Sequence, residues 1–571
     1  MNKSKTMVSI LLAVLVLLSA CSDDTPEQNT TAVSKPVAAE IQASEQTQEQ
    51  ERSPFSSLKQ HIAILASDEF EGRAPASPGE EKTVNYIKEQ FVSAGLEPGA
   101  GDSYFQAVPL VAITADSDAV MQLKSEGSTK ELKYVDDMIV WTKRVVESSS
   151  VVDSELVFVG YGVVAPEYDW NDYADADVKG KTVVILINDP GYASKDESLF
   201  KGNAMTYYGR WTYKYEEAVK QGAAAAIIVH ETNAAGYEWD VVTARWAGPQ
   251  FNLAEEDNRM SRVAVEGWIT KTNAELLFAE AGWNYEEAKQ AALRNDFKAR
   301  SLNTSMTVTL TNSIRKSSSR NVLGLLPGTD LQDEYFIYMA HWDHLGKDDS
   351  LEGDKIYNGA FDNATGTAGL IELADAFVDS GQNRRSILFV AVTAEESGLL
   401  GSKHYSSHPS VPLKDTVAAI NMEGLNNKGP TKDLIVVGIG SSELENYLED
   451  AVKSQGRYLA QEPTPEKGYF YRSDHFNLAK VGVPVLYTDA GVDSVEHGRE
   501  WGLAQDEDYV ENRYHKPSDE YYDNWDISGA IQDLEVYFAI GKRIVNEDTF
   551  PNWLEGNEFK AIRDLSRQQQ Q

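Results

Sequence analysis

Three runs in the second half of the chain, 335–340, 387–392 and 416–420, are apolar without interruption. They are short and rich in branched and aromatic residues, which predicts buried strands rather than helices. Each ends in charge. The first runs into His341-Trp342-Asp343-His344, the second into Thr393-Ala394-Glu395-Glu396 and the third into Asn421-Met422-Glu423. Ligands and catalytic groups of open α/β sheets collect outside the carboxyl ends of strands, so these three point toward one site.

The pattern upstream is helical. Leu58, Ile62 and Leu65 fall on one face, and a second helix is predicted over about 79–94, with Val84, Ile87 and Phe91 on its apolar side and Gly95 as its stop. From 136 to 300 the texture changes to short β runs, such as 156–159, 182–187 and 223–229, set between acidic and aromatic loops. This reads as a separate module, because the β/α pattern before it needs the later strands to complete a core. The α/β pattern resumes at 321–326 and continues to about 546. The expected organisation is 55–135 and 301–548 as one α/β domain, 136–300 as an insert, and 549–571 as a flexible, Gln-rich tail.

At the amino end, Lys3 and Lys5 precede the apolar run 7–18, too short for a permanent span and the right size for a secretory signal. It closes on Leu18-Ser19-Ala20-Cys21, which resembles the bacterial lipobox and predicts a signal peptide over 1–20 with a lipid on Cys21. Residues 21–54 have too few large apolar side chains to order themselves and read as a disordered tether. The expected location is therefore the bacterial cell envelope, on its periplasmic or outer side. Cys21 is the only cysteine, which excludes an intramolecular disulfide, a Cys-based zinc site and a cysteine nucleophile elsewhere. A net charge of -37, with 89 acids against 52 Lys and Arg, argues against a nucleic-acid partner.

His, Asp and Glu at strand ends are the donor set of zinc, and there are enough of them for two ions. Asp343, two residues beyond His341, can accept from the second imidazole nitrogen. Asp362 precedes a helix with Leu370, Leu373, Ala374 and Phe377 periodicity, where a lone carboxylate is more often an N-cap. The pair Glu395-Glu396 lies on a strand-to-loop transition, so its side chains diverge: one can bind metal while the other stays free as a base. The rival reading, an acidic helix start, is weakened by the buried strand before the pair and Gly398 after it. Other signals fall away. His230-Glu231 lacks the second His of a metalloprotease helix, Pro166 interrupts the glycine run at 160–165, and Glu443 stands where a dinucleotide fingerprint needs Gly. The aromatic cluster Tyr207, Tyr208, Trp211, Tyr213 and Tyr215 reads as packing ahead of its alternative, part of a substrate rim.

Taken in order, His341-x-Asp343, Gly359-Ala360-x-Asp362-Asn363, Glu395-Glu396 and Tyr514-His515-Lys516-Pro517-Ser518-Asp519 resemble the motif set of bacterial co-catalytic dizinc aminopeptidases, whose relatives include glutamate carboxypeptidase and the transferrin receptor. Residues 65–73 and Arg472-Ser473-Asp474-His475-Phe476 also fit that family, and 172–184 is similar to the protease-associated domain often inserted in it. The resemblance implies an α/β fold, a mixed and mostly parallel sheet flanked by helices, with a β-rich insert. It implies two Zn(2+) per chain: one bound by Asp362, Glu396 and His515, the other by His341, Asp362 and Glu423, with Asp362 bridging. Glu423 departs from the family, which commonly has Asp there. Glu395 would be the free base that takes the proton of a water between the ions, Asp343 a support for the ligand shell, and Tyr514 either a donor to the oxyanion or a packing residue. The implied activity is release of amino-terminal residues from peptides with a free N-terminus. Three alternatives share the fold: a carboxypeptidase, for which the sequence places no arginine near the site; a glutaminyl cyclase-type acyltransferase with one zinc; and an inactive peptide-binding receptor.

Overall fold

The structure is a computed structural model and describes residues 55–568. The expected signal peptide, Cys21 and the tether lie outside the described residues. The three apolar runs are strands, and they are buried on both faces. The chain forms α1 (Leu58–Leu65), α2 (Pro78–Ala94), β1 (Phe105–Ala115), β2 (Arg300–Leu326), β3 (Leu331–His341), α3 (Thr365–Asp379), β4 (Arg385–Val392), α4 (Leu400–Ser407), β5 (Thr416–Asn421), α5 (His475–Lys480), β6 (Val485–Asp489), α6 (Ser528–Ile544) and α7 (Lys560–Gln568), among other elements. Strands β3, β4, β5 and β6 are parallel, in the order β4-β3-β5-β6, and β2 joins the β4 edge antiparallel. Phe336, Tyr338 and Ala340 of β3 pack into the cluster made with α1, α2, α3 and α6, while Ile337 and Met339 pack into the cluster on the opposite face. Burial on both sides is why these strands read as unbroken apolar runs instead of alternating ones.

The topology places the site. From β3 the chain crosses through α3 to β4 on one side, then returns to β5 on the other. Beyond the carboxyl end of β3 the order reverses, and the loops on either side part to leave a crevice there.

A second sheet has its own hydrophobic cluster, drawn from residues between Ala119 and Leu310. Its order is Ser128–Lys133, Val120–Ser125, the first half of β2, Ser148–Phe158, Thr182–Leu186, Ala225–His230, Val265–Thr270 and Met138–Trp141. Two of these strands precede residue 136. Strand β2 belongs to both sheets, pairing with Ser148–Phe158 in its first half and with β1 and β4 in its second. The Tyr207 ring seats this layer near the crevice, 5.0 Å from the Phe476 ring and 6.1 Å from that of Tyr471, while Lys480 Nζ on α5 donates to Tyr207 (2.9 Å) and pairs with Glu216 (3.1 Å).

The segment after 549 corrects the expectation of a loose tail. Trp553 and Phe559 are buried with Phe476, and the Arg563 guanidinium donates to the carbonyls of Thr416 and Val417 at 2.9 and 3.2 Å. The terminal helix α7 carries little apolar surface of its own. Its buried side chain is Arg563, which a search for hydrophobic periodicity does not register.

Candidate metal centre

His341 is the last residue of β3 and is fully buried, as is Asp343. The nearest partner of His341 Nδ1 is the main-chain oxygen of Asp343 at 3.2 Å, with the carboxylate further away at 3.9 Å. The Asp343 carboxylate instead accepts from the backbone N–H groups of Glu395 (3.0 Å) and Glu396 (3.4 Å). Its role in the geometry is to tie the paired glutamates to the end of β3.

Asp362 is not a helix cap. It stands before α3 on a loop gripped from outside: Asp519 accepts from the backbone N–H of Phe361 and of Asp362, both at 3.1 Å. Asn363 ties the same loop to the end of β5, accepting from Gly424 N–H (3.2 Å) and donating to the Met422 carbonyl (3.0 Å). From inside, the buried Arg73 guanidinium donates to the carbonyls of Leu65, Trp342, Asn358 and Gly359 at 2.6–2.9 Å. Gly359 has φ +51°, and a Cβ there would lie 2.5 Å from the His344 ring, so only glycine fits.

Held this way, the two Asp362 oxygens face different imidazoles. Oδ1 is 3.4 Å from His341 Nε2 and Oδ2 is 3.3 Å from His515 Nε2. Glu396 Oε2 completes the second corner, 3.0 Å from His515 Nε2. Glu423 joins His341 and Asp362 at the first corner, their ligand atoms all within 4.8 Å of one another. Two donors at 2.0–2.1 Å from one tetrahedral zinc stand about 3.3 Å apart, which is close to these separations. Several buried donor atoms here, His341 Nε2, His515 Nε2 and Glu423 Oε2 among them, have no hydrogen-bond partner. Unpartnered buried donors and acceptors facing one another fit divalent cations.

His344 is the residue that sequence reasoning left unassigned. It is fully buried, and it groups with Asp362 and Glu396 as a possible metal-holding set. Its Nδ1 is 2.7 Å from Glu396 Oε1, shorter than the spacing of two donors on one zinc, and 4.0 Å from Asp362 Oδ2. The contact leaves Oε2 turned toward His515. The available signal was its place three residues after His341, at the mouth of the strand.

The charges show what the crevice lacks. Burial first, then Glu423, Glu396 and Asp474, push Glu395 well above the carboxylate range against the pull of His341. Burial, with help from Asp362, lifts Glu423 to about 8, although His341 and a hydrogen bond from Ser473 oppose it. Glu396 goes the other way: burial and Asp362 would raise it, but His515 and His344 outweigh them and hold it at about 2. Burial would lower His515, yet Glu396 and Asp362 carry it to about 10. Protons are taken up where carboxylates crowd, the behaviour expected of a site built for more positive charge than its side chains supply.

The remaining expected residues surround this centre. Ser473 accepts from Asn421 Nδ2 at 2.7 Å, and Asp474 is bound by Ser402 at 2.5 Å. Burial drives His475 down to about 3, and it lies among Phe470 and Tyr487, a neutral packing histidine. Tyr514 stacks on His515 with ring centroids 3.9 Å apart.

Known proteins resemble parts of this chain. The model of Peptidase family M28 matches residues 321–539. The chain is 28% identical over 208 residues to Aminopeptidase YwaD of Bacillus subtilis (strain 168), covering 35% of this chain and 40% of that one. It is 26% identical over 264 residues to the Probable lipoprotein aminopeptidase LpqL of Mycobacterium tuberculosis (strain ATCC 25618 / H37Rv), covering 43% and 49%. The chain thus spans less than half the length of these curated relatives. Among solved structures, the aminopeptidase from Aneurinibacillus sp. strain AM-1 superposes with a TM-score of 0.47 at 21% identity, over 88% of this chain and 96% of the other. His341, Asp343, His344, Asp362, Glu395, Glu396, Glu423 and His515 all lie within the segment that resembles Peptidase family M28.

Proposed function

We propose that the chain is a zinc-dependent exopeptidase that releases amino-terminal residues from peptides, with two zinc ions in the crevice. The observation that carries this reading is the split of Asp362 between His341 and His515. His341, Asp362 and Glu423 would hold one ion, and Asp362, Glu396 and His515 the other. Such ions supply Lewis acidity toward water and toward a peptide carbonyl.

The protein's own groups do the rest. Glu395, crowded by carboxylates, has the proton affinity to accept a proton from the attacking water and return it to the leaving amine. Asp343 fixes the backbone from which Glu395 projects. Ser473 bonds to Glu423 and holds its longer side chain in place of the family's usual Asp. Tyr514, stacked on His515, would offer its hydroxyl to the developing oxyanion. The second sheet is proposed as the protease-associated module. A lipid on Cys21 would anchor the exported chain to the envelope, a reading supported by the name of the lipoprotein relative. No helix among the described residues is long and apolar enough to cross a membrane.

The test is a peptide panel with free or acetylated amino ends, digested by wild type and Glu395→Gln, with zinc counted per chain. The expectation is two zinc, cleavage confined to free amino ends, and a loss of about 10²–10⁴ in kcat for the variant. Equal cleavage of acetylated peptides rejects the aminopeptidase reading, and full activity of the variant rejects Glu395 as the base.

A further inference from the structure

The ring of Phe550 is surrounded by guanidinium groups. Arg567 stands 3.7 Å from its centre, Arg385 4.9 Å and Arg563 5.9 Å. They come from separate elements: Arg385 opens β4, while Arg563 and Arg567 lie one turn apart on α7. A recess of about 300 Å³ opens beside the ring, with Phe550, Pro551, Asn552, Arg563, Asp564 and Arg567 in its lining. It lies far from the metal centre. Arg385 and the Thr416 and Val417 carbonyls bonded by Arg563 mark the amino ends of β4 and β5, whereas Glu395, Glu396 and Glu423 lie beyond their carboxyl ends. The eight residues of β4 alone put roughly 26 Å between the two ends.

The positive charge gathered here is answered only in part. Arg385 gives Nε to Glu334 at 2.7 Å and Nη1 to the Ile544 carbonyl, but its Nη2 is buried without a partner. Arg563 is spent on main-chain carbonyls, and Arg567 reaches the Lys414 carbonyl at 3.0 Å. Among the described residues, neither Arg563 nor Arg567 has a carboxylate within 4.0 Å. Asp564, the acid in the lining, is already engaged by Asn552 at 2.8 Å and by Lys560 at 2.9 Å. Burial lowers Arg563 to about 10, with Arg567 the foremost like charge acting on it, and Arg385 acts in turn on Arg567. In a chain of net charge -37, three arginines crowded on one ring are a costly arrangement unless an anion comes from outside.

We propose that this recess is a second ligand site, for a small organic monocarboxylate whose charged end meets Arg567 and Arg563 and whose apolar body lies on Phe550 and Pro551. A planar carboxylate matches the guanidinium fork, and the ring supplies the apolar floor that small-molecule sites share. Asp564 sets the charge: it opposes an inorganic dianion such as phosphate more strongly than a single carboxylate. The ligand would join α7 to the segment at 550–552. The inference stands apart from the exopeptidase reading, because no residue of the recess takes part in the metal centre.

Fluorine NMR of the zinc-loaded protein, titrated with 4-fluorobenzoate and with 4-fluorobenzamide, reads both affinities. The carboxylate is expected to bind about tenfold tighter than the amide, the worth of one charge-assisted hydrogen bond. Arg567→Gln brings that ratio toward one and leaves the zinc content as it is, whereas Arg567→Lys, which keeps a charge, retains part of the preference. Carboxylates also bind zinc, so a second measurement fixes the place. Crystals soaked in 4-bromobenzoate should show the anomalous signal of bromine beside Phe550, a result that needs no variant and serves if the glutamine protein fails to fold. Equal affinities for acid and amide overturn the site, as does a preference that survives Arg567→Gln or a bromine signal absent from the recess.

Discussion

Replacing Arg73 by Met tests whether the metal centre is held together from behind. The guanidinium is fully buried and makes four hydrogen bonds to carbonyls, one on Trp342 beside His341, two on Asn358 and Gly359 of the Asp362 loop, and one on Leu65. Methionine fills similar space but leaves those four oxygens without a donor. Each charged hydrogen bond is worth about 1.5–3 kcal/mol, and relief of burying a cation returns several kcal/mol, so the net loss is about 3–5 kcal/mol. The charge also offsets Asp362, Asp519, Asp343 and Glu396, and its removal leaves more repulsion in the unloaded protein. The melting temperature, followed by circular dichroism in a chelator, is expected to fall by about 3–7 °C, and by less when zinc is present. A melting temperature within 2 °C of wild type, with unchanged zinc content, would refute the idea that this arginine organises the two ligand loops.

Three further outcomes follow. His515→Ala is expected to lose one zinc per chain, whereas His344→Ala keeps both and weakens the second by about 10–100-fold in a chelator competition; loss of an ion in His344→Ala would make that residue a direct ligand. Glu423 and Asp343 are each raised to about 8 in the folded, unloaded protein, burial being the first cause for both. Carboxyls raised on folding stabilise below their unfolded values and lose that contribution as pH climbs through the folded ones, so the chelated protein's melting temperature should fall between about pH 4 and pH 8, and zinc should restore more at the upper end. Truncation after residue 548 removes buried Trp553 and Phe559, each worth about 3–5 kcal/mol, and should yield aggregating protein; a soluble truncated chain with the wild-type melting temperature would contradict the packing of this segment.

What could be read in the sequence was local. Runs buried on both sides announce parallel strands, and an acid or imidazole at the end of such a run announces the crevice; His341, Glu395, Glu396 and Glu423 were visible for that reason. Asp362 and His515 needed the family resemblance, since neither follows a strand. The supports were hidden. Arg73 and Asp519 act on main-chain groups far away in sequence, and no periodicity marks a side chain whose partners are carbonyls or amides. Asp343 was expected beside the imidazole, yet its carboxylate turned to the backbone of the paired glutamates, a choice between near neighbours that spacing along a strand does not decide.

The way the two sheets are joined bears on how the chain could be shortened. Ala115 and Asn312 face each other across one rung, with Asp116 N–H bonded to the Thr311 carbonyl at 2.9 Å, so the whole second layer leaves and re-enters through what would otherwise be the tip of a hairpin. A two-residue turn between Ala115 and Asn312 would close the shortened chain and keep the part of β2 that pairs with β1 and β4. The smaller protein would not come free of consequence. Gln250–Leu253 covers the outer side of β1 from Leu110 to Ile113, and without it that edge would stand open to any extended chain that met it.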